Sequence, residues 1–244
     1  MAATAADNLA QLKDNSYPGR GILLGLNKGG SQWVQVYWVM GRSNNSRNRL
    51  LKIEGTEVLT EPHDPSKVED ATLIIYRAMS SFRGWHIVSN GDHTDNIVQH
   101  IAVGSTFETA LEGCHHEPDA PNHTPRIAGL VRLNGPDTEL KLAKIVRDPG
   151  NEDHSVHCFY RYAGFINGFG SCLHTYSSDG KPLPSFGFDP YALPLLDDVE
   201  DIADSYWEVL NNENKVALAV KAIDCESGKV TVVARNKLVP SGAA

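Results

Sequence analysis

The sequence predicts an α+β protein in which antiparallel sheets are covered by helices. Segments with the apolar pattern of strands outnumber helical patterns, and the helices stand between blocks of strands instead of alternating with them one by one. A glycine-rich turn, NKGG at 27–30, joins the first two strands into a predicted hairpin. The predicted strands lie at 20–26, 32–40, 49–55, 71–79, 84–90, 126–133, 139–146, 156–165, 216–224 and 230–237.

Three stretches carry helix signals. The first, DHTDNIVQHIAVG, follows an Asn-Gly pair at 90–91 and places three aliphatic residues on one side. STFETALEG at 105–113 begins with a capping-box pattern from Ser105 to Glu108. The third, at 196–212, spaces apolar residues at helical intervals and has acidic residues in its first turn.

The pattern of linkers predicts a single domain. We expect residues 1–16 to be a flexible leader and residues 17–240 to form one domain, because no linker divides the 244-residue chain. The stretch at 170–195 is rich in Gly, Pro and Ser, which predicts a long loop.

Composition excludes several classes of protein. The net charge of -8 argues against a general binder of nucleic acids or membrane surfaces, so an anionic ligand would need a local cluster of positive charge. No apolar run approaches the roughly 20 residues of a spanning helix. The first fifteen residues lack the features of a secretory signal, so we expect a cytoplasmic protein with reduced cysteines.

One cluster of positive charge follows the predicted strand at 32–40. Arg42, Arg47 and Arg49 lie in the segment GRSNNSRNR, together with Ser43. The forked donors of guanidinium groups match phosphate oxygens, and the hydroxyl and backbone N–H groups of a turn add donors. The alternative is an ordinary solvated turn, the commonest environment of charged residues.

A second polar group stands where a predicted strand meets a predicted helix. Asn90, Asp92, His93 and Thr94 occupy this junction. A helix N-terminus offers unpaired N–H groups and the positive end of the helix dipole, which favours an anion. The alternative is that Asp92 or Thr94 only caps the helix.

Three further residues stand out. Thr124 and Arg126 lie where a loop enters a predicted strand, and Arg126 either reaches into a cleft or flanks it. Tyr76 lies inside an otherwise apolar strand pattern, ATLIIYRAM. A tyrosine in that position either serves a site or makes a structural hydrogen bond with its hydroxyl.

Metal and thiol sites receive less support. The best candidate ligand sets, His154 with His157 and Cys114 with its two histidine neighbours, match no familiar metal-site spacing. We expect no metal ligands. Cys172 has His174 two residues on, but a nucleophilic cysteine needs a positioned base and a lowered pKa, which spacing alone does not supply.

Taken together, these motifs resemble the archaeal-type IMP cyclohydrolase family. The matching stretches are YPGRGILLG, VYWVMGRSNNSRNR, LIIYRAM, VSNGDHTDNI and HTPRIAGLV, which follow in the family's order across residues 17–133. FGFDPY is a further match in the C-terminal half. The resemblance implies a four-layer αββα sandwich of two mainly antiparallel sheets flanked by helices, similar to N-terminal-nucleophile hydrolases.

The resemblance also implies an activity. It predicts ring closure of 5-formamidoimidazole-4-carboxamide ribonucleotide to IMP with loss of water, in purine biosynthesis. The implied catalytic residues are Arg47, or Arg49 if the register slips, near the reacting carbonyl, and Tyr76 for proton transfer. The implied substrate-binding residues are Arg20, Arg42, Ser43, Arg49, Asn90, Asp92, His93, Thr94, Thr124 and Arg126. No metal or other cofactor is required.

The implied partner is a small-molecule purine nucleotide, with no nucleic acid and no membrane, and a homo-oligomer is compatible with the sequence. Two other functions stay open. One is an amide-bond hydrolase on the same fold, using Cys172 or a processed terminus. The other is a purine-nucleotide-binding protein without catalysis.

Overall fold

A computed structural model of the chain describes residues 3–68, 71 and 74–238. Its helices are α1 (Ala5–Asp14), α2 (Asn44–Arg47), α3 (His93–Ala102), α4 (Phe107–Glu112) and α5 (Val199–Val209). Its strands are β1 (Gly21–Leu26), β2 (Gln32–Met40), β3 (Arg49–Glu54), β4 (Glu57–Pro62), β5 (Arg77–Phe82), β6 (Trp85–Ser89), β7 (Arg126–Arg132), β8 (Glu139–Asp148), β9 (Asn151–Tyr162), β10 (Phe169–His174), β11 (Tyr191–Pro194), β12 (Lys215–Asp224) and β13 (Val230–Asn236).

The strands form two antiparallel sheets with different topologies. The first sheet has the order β11-β10-β1-β2-β12-β13, so it combines strands from the beginning and the end of the chain. The second sheet has the order β3-β4-β5-β6-β7-β8-β9, a meander in sequence order. The predicted hairpin of the first two strands is confirmed, with Leu23 opposite Val36. Gly30 has a φ of 71°, which side chains rarely adopt, and this explains a glycine in the turn.

Three hydrophobic clusters separate four layers. One lies between the two sheets, a second lies under α1 and α5 on the outer face of the first sheet, and a third lies under α3 and α4 on the second. Alternation along β2 shows the arrangement, because Tyr37 faces the inter-sheet cluster and Trp38 the helix side. The α+β prediction and its αββα layering are confirmed.

The inter-sheet layer also contains a buried polar cluster of Gln35, Ser81, His86 and Lys221. The Lys221 Nζ donates to Ser81 Oγ at 3.0 Å, and Ser81 Oγ lies 3.1 Å from His86 Nδ1. Gln35 Nε2 donates to the His86 carbonyl at 2.9 Å. In the described part of the chain, Gln35 Oε1 and His86 Nε2 have no hydrogen-bond partner although they are buried.

An asparagine side chain joins the edges of the two sheets. The Leu51 N–H donates to Asn236 Oδ1 at 2.8 Å, and Asn236 Nδ2 donates to the Leu51 carbonyl at 3.0 Å. The Asn236 amide thus makes the two hydrogen bonds to Leu51 that a neighbouring strand would make. The edge strands β3 and β13 contact each other, so neither presents a fully open edge.

Several predicted boundaries are wrong. The predicted strand at 71–79 begins only at Arg77, because Tyr76 is bonded to Thr60 through both its N–H and its carbonyl. Residues 72 and 73 of that prediction lie outside the described residues. The capping box at Ser105 is also wrong, because Thr106 is the N-cap of α4 and accepts from the Thr109 N–H.

Two segments are more ordered than their composition suggests. The predicted loop at 170–195 contains most of β10 and all of β11, since β10 pairs with β1 on one side and β11 on the other. The predicted leader contains α1, which has a complete capping box at Thr4 and buries Leu12 against the first sheet. None of the helices among the described residues is both long and apolar enough to cross a membrane.

Candidate functional site

A cavity of about 260 Å³ lies where β2 ends and α2 begins. We call it the arginine pocket, because three of its lining residues are arginines. Six of the remaining lining residues have hydroxyl or carboxylate side chains. The lining residues are Tyr17, Arg20, Arg42, Ser43, Asn45, Ser46, Arg49, Ile74, Glu117, Asp119, Asn122, Tyr176 and Leu183.

The arginine pocket contains a buried ion pair. Arg20 Nη2 lies 2.6 Å from Glu117 Oε1, and both side chains are almost inaccessible. Burial raises the pKa of Glu117, although Arg20 opposes that change. Burial opposes the charge of Arg20, but the Glu117 carboxylate and three nearby tyrosine hydroxyls together raise the pKa of Arg20. The pair therefore places a permanent cation beside a carboxyl group that binds a proton more readily than usual.

The backbone around this pair is tightly packed. Gly19 precedes Arg20 with a φ of 76°, and a Cβ at Gly19 would lie 2.1 Å from Thr175 Oγ1. The Arg20 N–H donates to the same hydroxyl at 3.1 Å. The motif YPGRGILLG therefore requires glycine at position 19, and the close packing there fixes the position of the Arg20 backbone.

Two tyrosine hydroxyls meet beside the pocket. Tyr37 and Tyr76 are 2.6 Å apart through their hydroxyl oxygens, and both residues are buried. Burial raises the pKa of Tyr37, and both phenols are close enough to Arg20 to raise its pKa. Because one hydroxyl must donate to the other, the pair can pass a proton along a short chain.

The segment after β2 separates two candidate arginines. Arg49 is buried and lines the arginine pocket, with its Nε donating to the Ser46 carbonyl at 2.9 Å. Arg47 is exposed, and its guanidinium donates to the Gly41 carbonyl at 3.0 Å and to Asn214 Oδ1 at 3.2 Å. Of these two, the structure brings Arg49 to the pocket and turns Arg47 away from it.

The same segment is a short helix and not an irregular turn. Ser43 caps α2 by accepting from the Ser46 N–H at 3.1 Å, and both residues line the arginine pocket. Arg42 is held at the rim by an ion pair with Asp179 and by a hydrogen bond to the Gly180 carbonyl at 3.0 Å. Its guanidinium also lies 4.9 Å from the centre of a tyrosine ring, that of Tyr17.

Asp92, His93 and Arg126 lie together at a neighbouring cavity of about 420 Å³. Arg126 Nη1 donates to Asp92 Oδ1 at 2.7 Å and lies 3.2 Å from His93 Nδ1. Burial, followed by the charge of Arg126, lowers the pKa of His93 to about 3. His93 is therefore neutral, donates from Nε2 to the Ile127 carbonyl at 3.1 Å and accepts from Arg126.

Three further predicted residues make local hydrogen bonds. Asn90 Nδ2 donates to the Pro125 carbonyl at 3.0 Å, and Asn90 Oδ1 accepts from the Ile127 N–H at 2.8 Å. The Thr94 hydroxyl is bonded to that of Ser89. The Thr124 hydroxyl is bonded to Asp119 and Tyr176, both of which line the arginine pocket.

Sequence reasoning missed several residues of this site. Among them are Tyr37, Glu117, Asp119 and Tyr176. Tyr37 lies within the motif VYWVMGRSNNSRNR, but it was interpreted only as part of an apolar strand. Glu117 lies in a loop without helix or strand periodicity, so its partner Arg20, 97 positions away, was visible only in the fold.

Cys172 does not form a thiol site. Its side chain is fully buried, and burial raises its pKa to about 12. A nucleophilic cysteine has a lowered pKa and an accessible sulfur. Among the described residues, no three His, Cys, Asp or Glu side chains are grouped closely enough to hold a metal ion.

The chain is similar to proteins of one family. The model of the family described as IMP cyclohydrolase-like protein matches residues 17–228. The IMP cyclohydrolase of Methanothrix thermoacetophila is 37% identical over 119 residues, which are 47% of this chain and 57% of that protein. The IMP cyclohydrolase of Methanocella arvoryzae is 32% identical over 119 residues, again 47% of this chain and 57% of that protein. The chain thus spans just over half the length of these two relatives, and the family model covers most of the chain itself. This protein belongs to the IMP cyclohydrolase-like family.

Proposed function

We propose that this protein is an IMP cyclohydrolase, which closes the ring of 5-formamidoimidazole-4-carboxamide ribonucleotide to give IMP and water. The observation that carries the proposal is the arginine pocket, which is lined by the Arg20–Glu117 pair and Arg49 and lies beside the hydrogen-bonded hydroxyls of Tyr37 and Tyr76. Both named relatives are IMP cyclohydrolases, which supports the same conclusion.

The reaction is intramolecular. The carboxamide nitrogen attacks the formyl carbon of the same molecule, a carbinolamine forms, and its hydroxyl leaves as water after gaining a proton. The protein must hold the folded conformer, stabilise charge on the formyl oxygen and move protons. This chemistry requires no metal, redox cofactor or protein nucleophile.

The proposed roles follow from the positions of the side chains. Arg49, in place of the exposed Arg47, stabilises the formyl oxygen as charge develops on it. Tyr76 donates a proton to that oxygen and is resupplied through Tyr37. Glu117, with its raised pKa, accepts the proton that the carboxamide nitrogen loses.

The remaining residues bind the nucleotide. Arg42 and Ser43 at the rim are proposed to hold the phosphate, with Arg20 nearer the base. Asp92, His93 and Arg126 extend the binding surface into the neighbouring cavity. Asn90 supports that surface through hydrogen bonds to the backbone. Thr94 and Thr124 support the site through side-chain hydrogen bonds of their hydroxyls.

The setting of the reaction is part of the proposal. We infer a cytoplasmic enzyme whose partner is a free nucleotide, and neither nucleic acid nor a membrane is required. Arginines concentrated at one pocket of a chain with a net charge of -8 favour a small anion over a polyanion.

The test is a spectroscopic assay of ring closure. The full-length protein, incubated with the formylated precursor, is expected to give the ultraviolet absorption change of purine formation, with and without a chelator. Tyr76→Phe is expected to lower kcat at least about 100-fold, because it removes the proton donor.

Tyr206→Phe is the matched control. Its buried hydroxyl donates to the Pro194 carbonyl at 2.6 Å on the far side of the first sheet, so it loses a similar hydrogen bond away from the pocket. Tight nucleotide binding without an absorption change would instead identify a binding protein. Full activity in Tyr76→Phe would refute the proposed proton donor.

A further inference from the structure

A second cavity, of about 320 Å³, lies between α1 and the segment at 186–191. We call it the aromatic pocket, because one wall consists of the rings of His174, Phe186, Phe188 and Tyr191. Amide side chains of α1, among them Gln11, form the opposite wall. Its volume lies at the lower end of the range usual for small-molecule sites.

The aromatic pocket joins two parts of the chain with different relationships to the family. The family model matches residues 17–228, so α1 lies outside the matched region. The aromatic wall lies inside it. The cavity therefore lies between a helix outside the matched region and the matched part of the chain, and the ring-closure chemistry described above does not use it.

His174 presents an unused acceptor to this pocket. Its Nδ1 lies 2.8 Å from the Tyr176 carbonyl, which can only accept, so Nδ1 carries the proton of the neutral ring. Burial lowers the pKa of His174 to about 4, which keeps the ring neutral. Nε2 is then a lone-pair acceptor, and no described protein group donates to it although the residue is only 4% exposed.

The rings around His174 hold it in place. The Phe186 ring lies 4.1 Å from the imidazole, and the Tyr191 ring contacts it edge-on at 5.6 Å. Lys144 fixes the same segment by donating to the carbonyls of Phe186 and Phe188 at 3.2 and 2.8 Å. Phe188, in contrast, is 70% exposed at the mouth, where its ring can cover a flat ligand.

The chemistry of the lining selects a class of ligand. Aromatic faces favour a planar ring, and the His174 Nε2 and the Asp189 carboxylate at the mouth both require donors. Among the described lining residues there is no lysine or arginine, in contrast to the arginine pocket. A phosphate group would therefore meet the Asp189 carboxylate, while the Lys144 ammonium lies over the Phe186 ring and is engaged by the Phe186 and Phe188 carbonyls.

We propose that the aromatic pocket is a second ligand-binding site, which takes a planar, amino-substituted nitrogen heterocycle that is neutral or cationic and carries no phosphate. An exocyclic amino group donates to His174 Nε2 while the ligand ring lies against the exposed face of Phe188. This site is separate from the arginine pocket and does not depend on the proposed ring closure.

The test is binding of adenine and adenosine to the full-length protein by calorimetry. One saturable site is expected for both probes, and Phe188→Ala is expected to weaken binding at least about fivefold, because it removes a stacking face. Ile166→Ala is the matched control, since Ile166 is equally exposed at 71% and does not line the pocket. It should bind both probes as the natural chain does.

Two further comparisons assign the signal to this site. Arg42→Ala, in the other pocket, should leave adenosine binding unchanged, and AMP should bind the aromatic pocket more weakly than adenosine. His174→Phe keeps an aromatic ring and removes the acceptor, so it should also weaken binding. The proposal is overturned if no saturable binding occurs, or if Arg42→Ala abolishes binding while Phe188→Ala and His174→Phe do not change it.

Discussion

Two neighbouring positions on β2 lead into very different polar environments. Tyr37 contacts Tyr76 beside the arginine pocket, where the Arg20–Glu117 pair borders a cavity. Two residues earlier, Gln35 belongs to the polar cluster around Lys221, and the Gln35 and Lys221 side chains have no exposed surface. Both groups interrupt an apolar layer, and each buried polar group has a desolvation cost. The difference is access to a ligand, so we expect changes in the first group to alter activity and changes in the second to alter stability alone.

The largest expected effect comes from breaking the Arg20–Glu117 pair. Glu117→Ala leaves the Arg20 charge buried without a partner, so the free energy of unfolding should fall by about 3–5 kcal/mol. Urea unfolding at neutral pH measures the change. The double variant Arg20→Met/Glu117→Leu should recover most of that stability and remain inactive. A loss below about 1 kcal/mol in Glu117→Ala would show that water reaches Arg20 and that the pair is not isolated.

A smaller effect should distinguish the two candidate arginines. Arg49→Ala removes a donor from the pocket and should lower kcat/KM for ring closure about 10²–10³-fold. Arg47→Ala removes an exposed side chain and should change it less than about fivefold. Arg49→Lys keeps the charge and reports whether the forked geometry is needed, and circular dichroism checks that each variant folds. The reverse order of effects would return the catalytic role to Arg47.

The smallest effect concerns Lys221 in the buried polar cluster. Burial lowers the pKa of Lys221 to about 7, below its ordinary value of 10.5. Between these values the unfolded chain binds a proton that the folded chain does not, so stability should rise with pH by about 1.4 kcal/mol per unit and be lost as pH falls towards 7.

Lys221→Met removes this titration. The difference in unfolding free energy between the natural chain and the variant should therefore grow in favour of the natural chain from pH 7.5 to 9.5. The kcat/KM of the variant should stay within about twofold. A constant difference across this range would mean that Lys221 is charged in the folded protein. A large loss of activity in the variant would show that the polar cluster around Lys221 contributes to the same site as the arginine pocket.

Local patterns in the sequence predicted the parts of the fold that local forces determine. The strand at 32–40 and the NKGG hairpin were found because apolar continuity and turn glycines act within a few residues. β4 was missed because EVLTEP is short and only half apolar, and its place between β3 and β5 makes it a strand. The residues around Tyr76 looked like a strand, but hydrogen bonds to Thr60 hold them before β5 begins.

The residues of the site also divide into those that local motifs predict and those that only tertiary contacts reveal. Arg20, Arg42, Ser43 and Arg49 were found because they lie in quoted motifs near strand ends, and the structure brings all four to one cavity. Glu117 was missed because a single acid in a loop looks like any other of the 30 acidic residues until the fold places it against Arg20.

The way the two sheets divide the chain has a consequence for folding during synthesis. The second sheet is a meander of consecutive strands, so each strand can pair soon after its neighbour leaves the ribosome. The first sheet needs β12 and β13 beside β2, and Asn236 must reach Leu51 across 185 residues of chain. Contacts this distant carry a large loop-closure cost and form late. The β1–β2 hairpin, which is made first and carries Arg20 at its start and Arg42 at its end, therefore waits for the last strands before its sheet is complete.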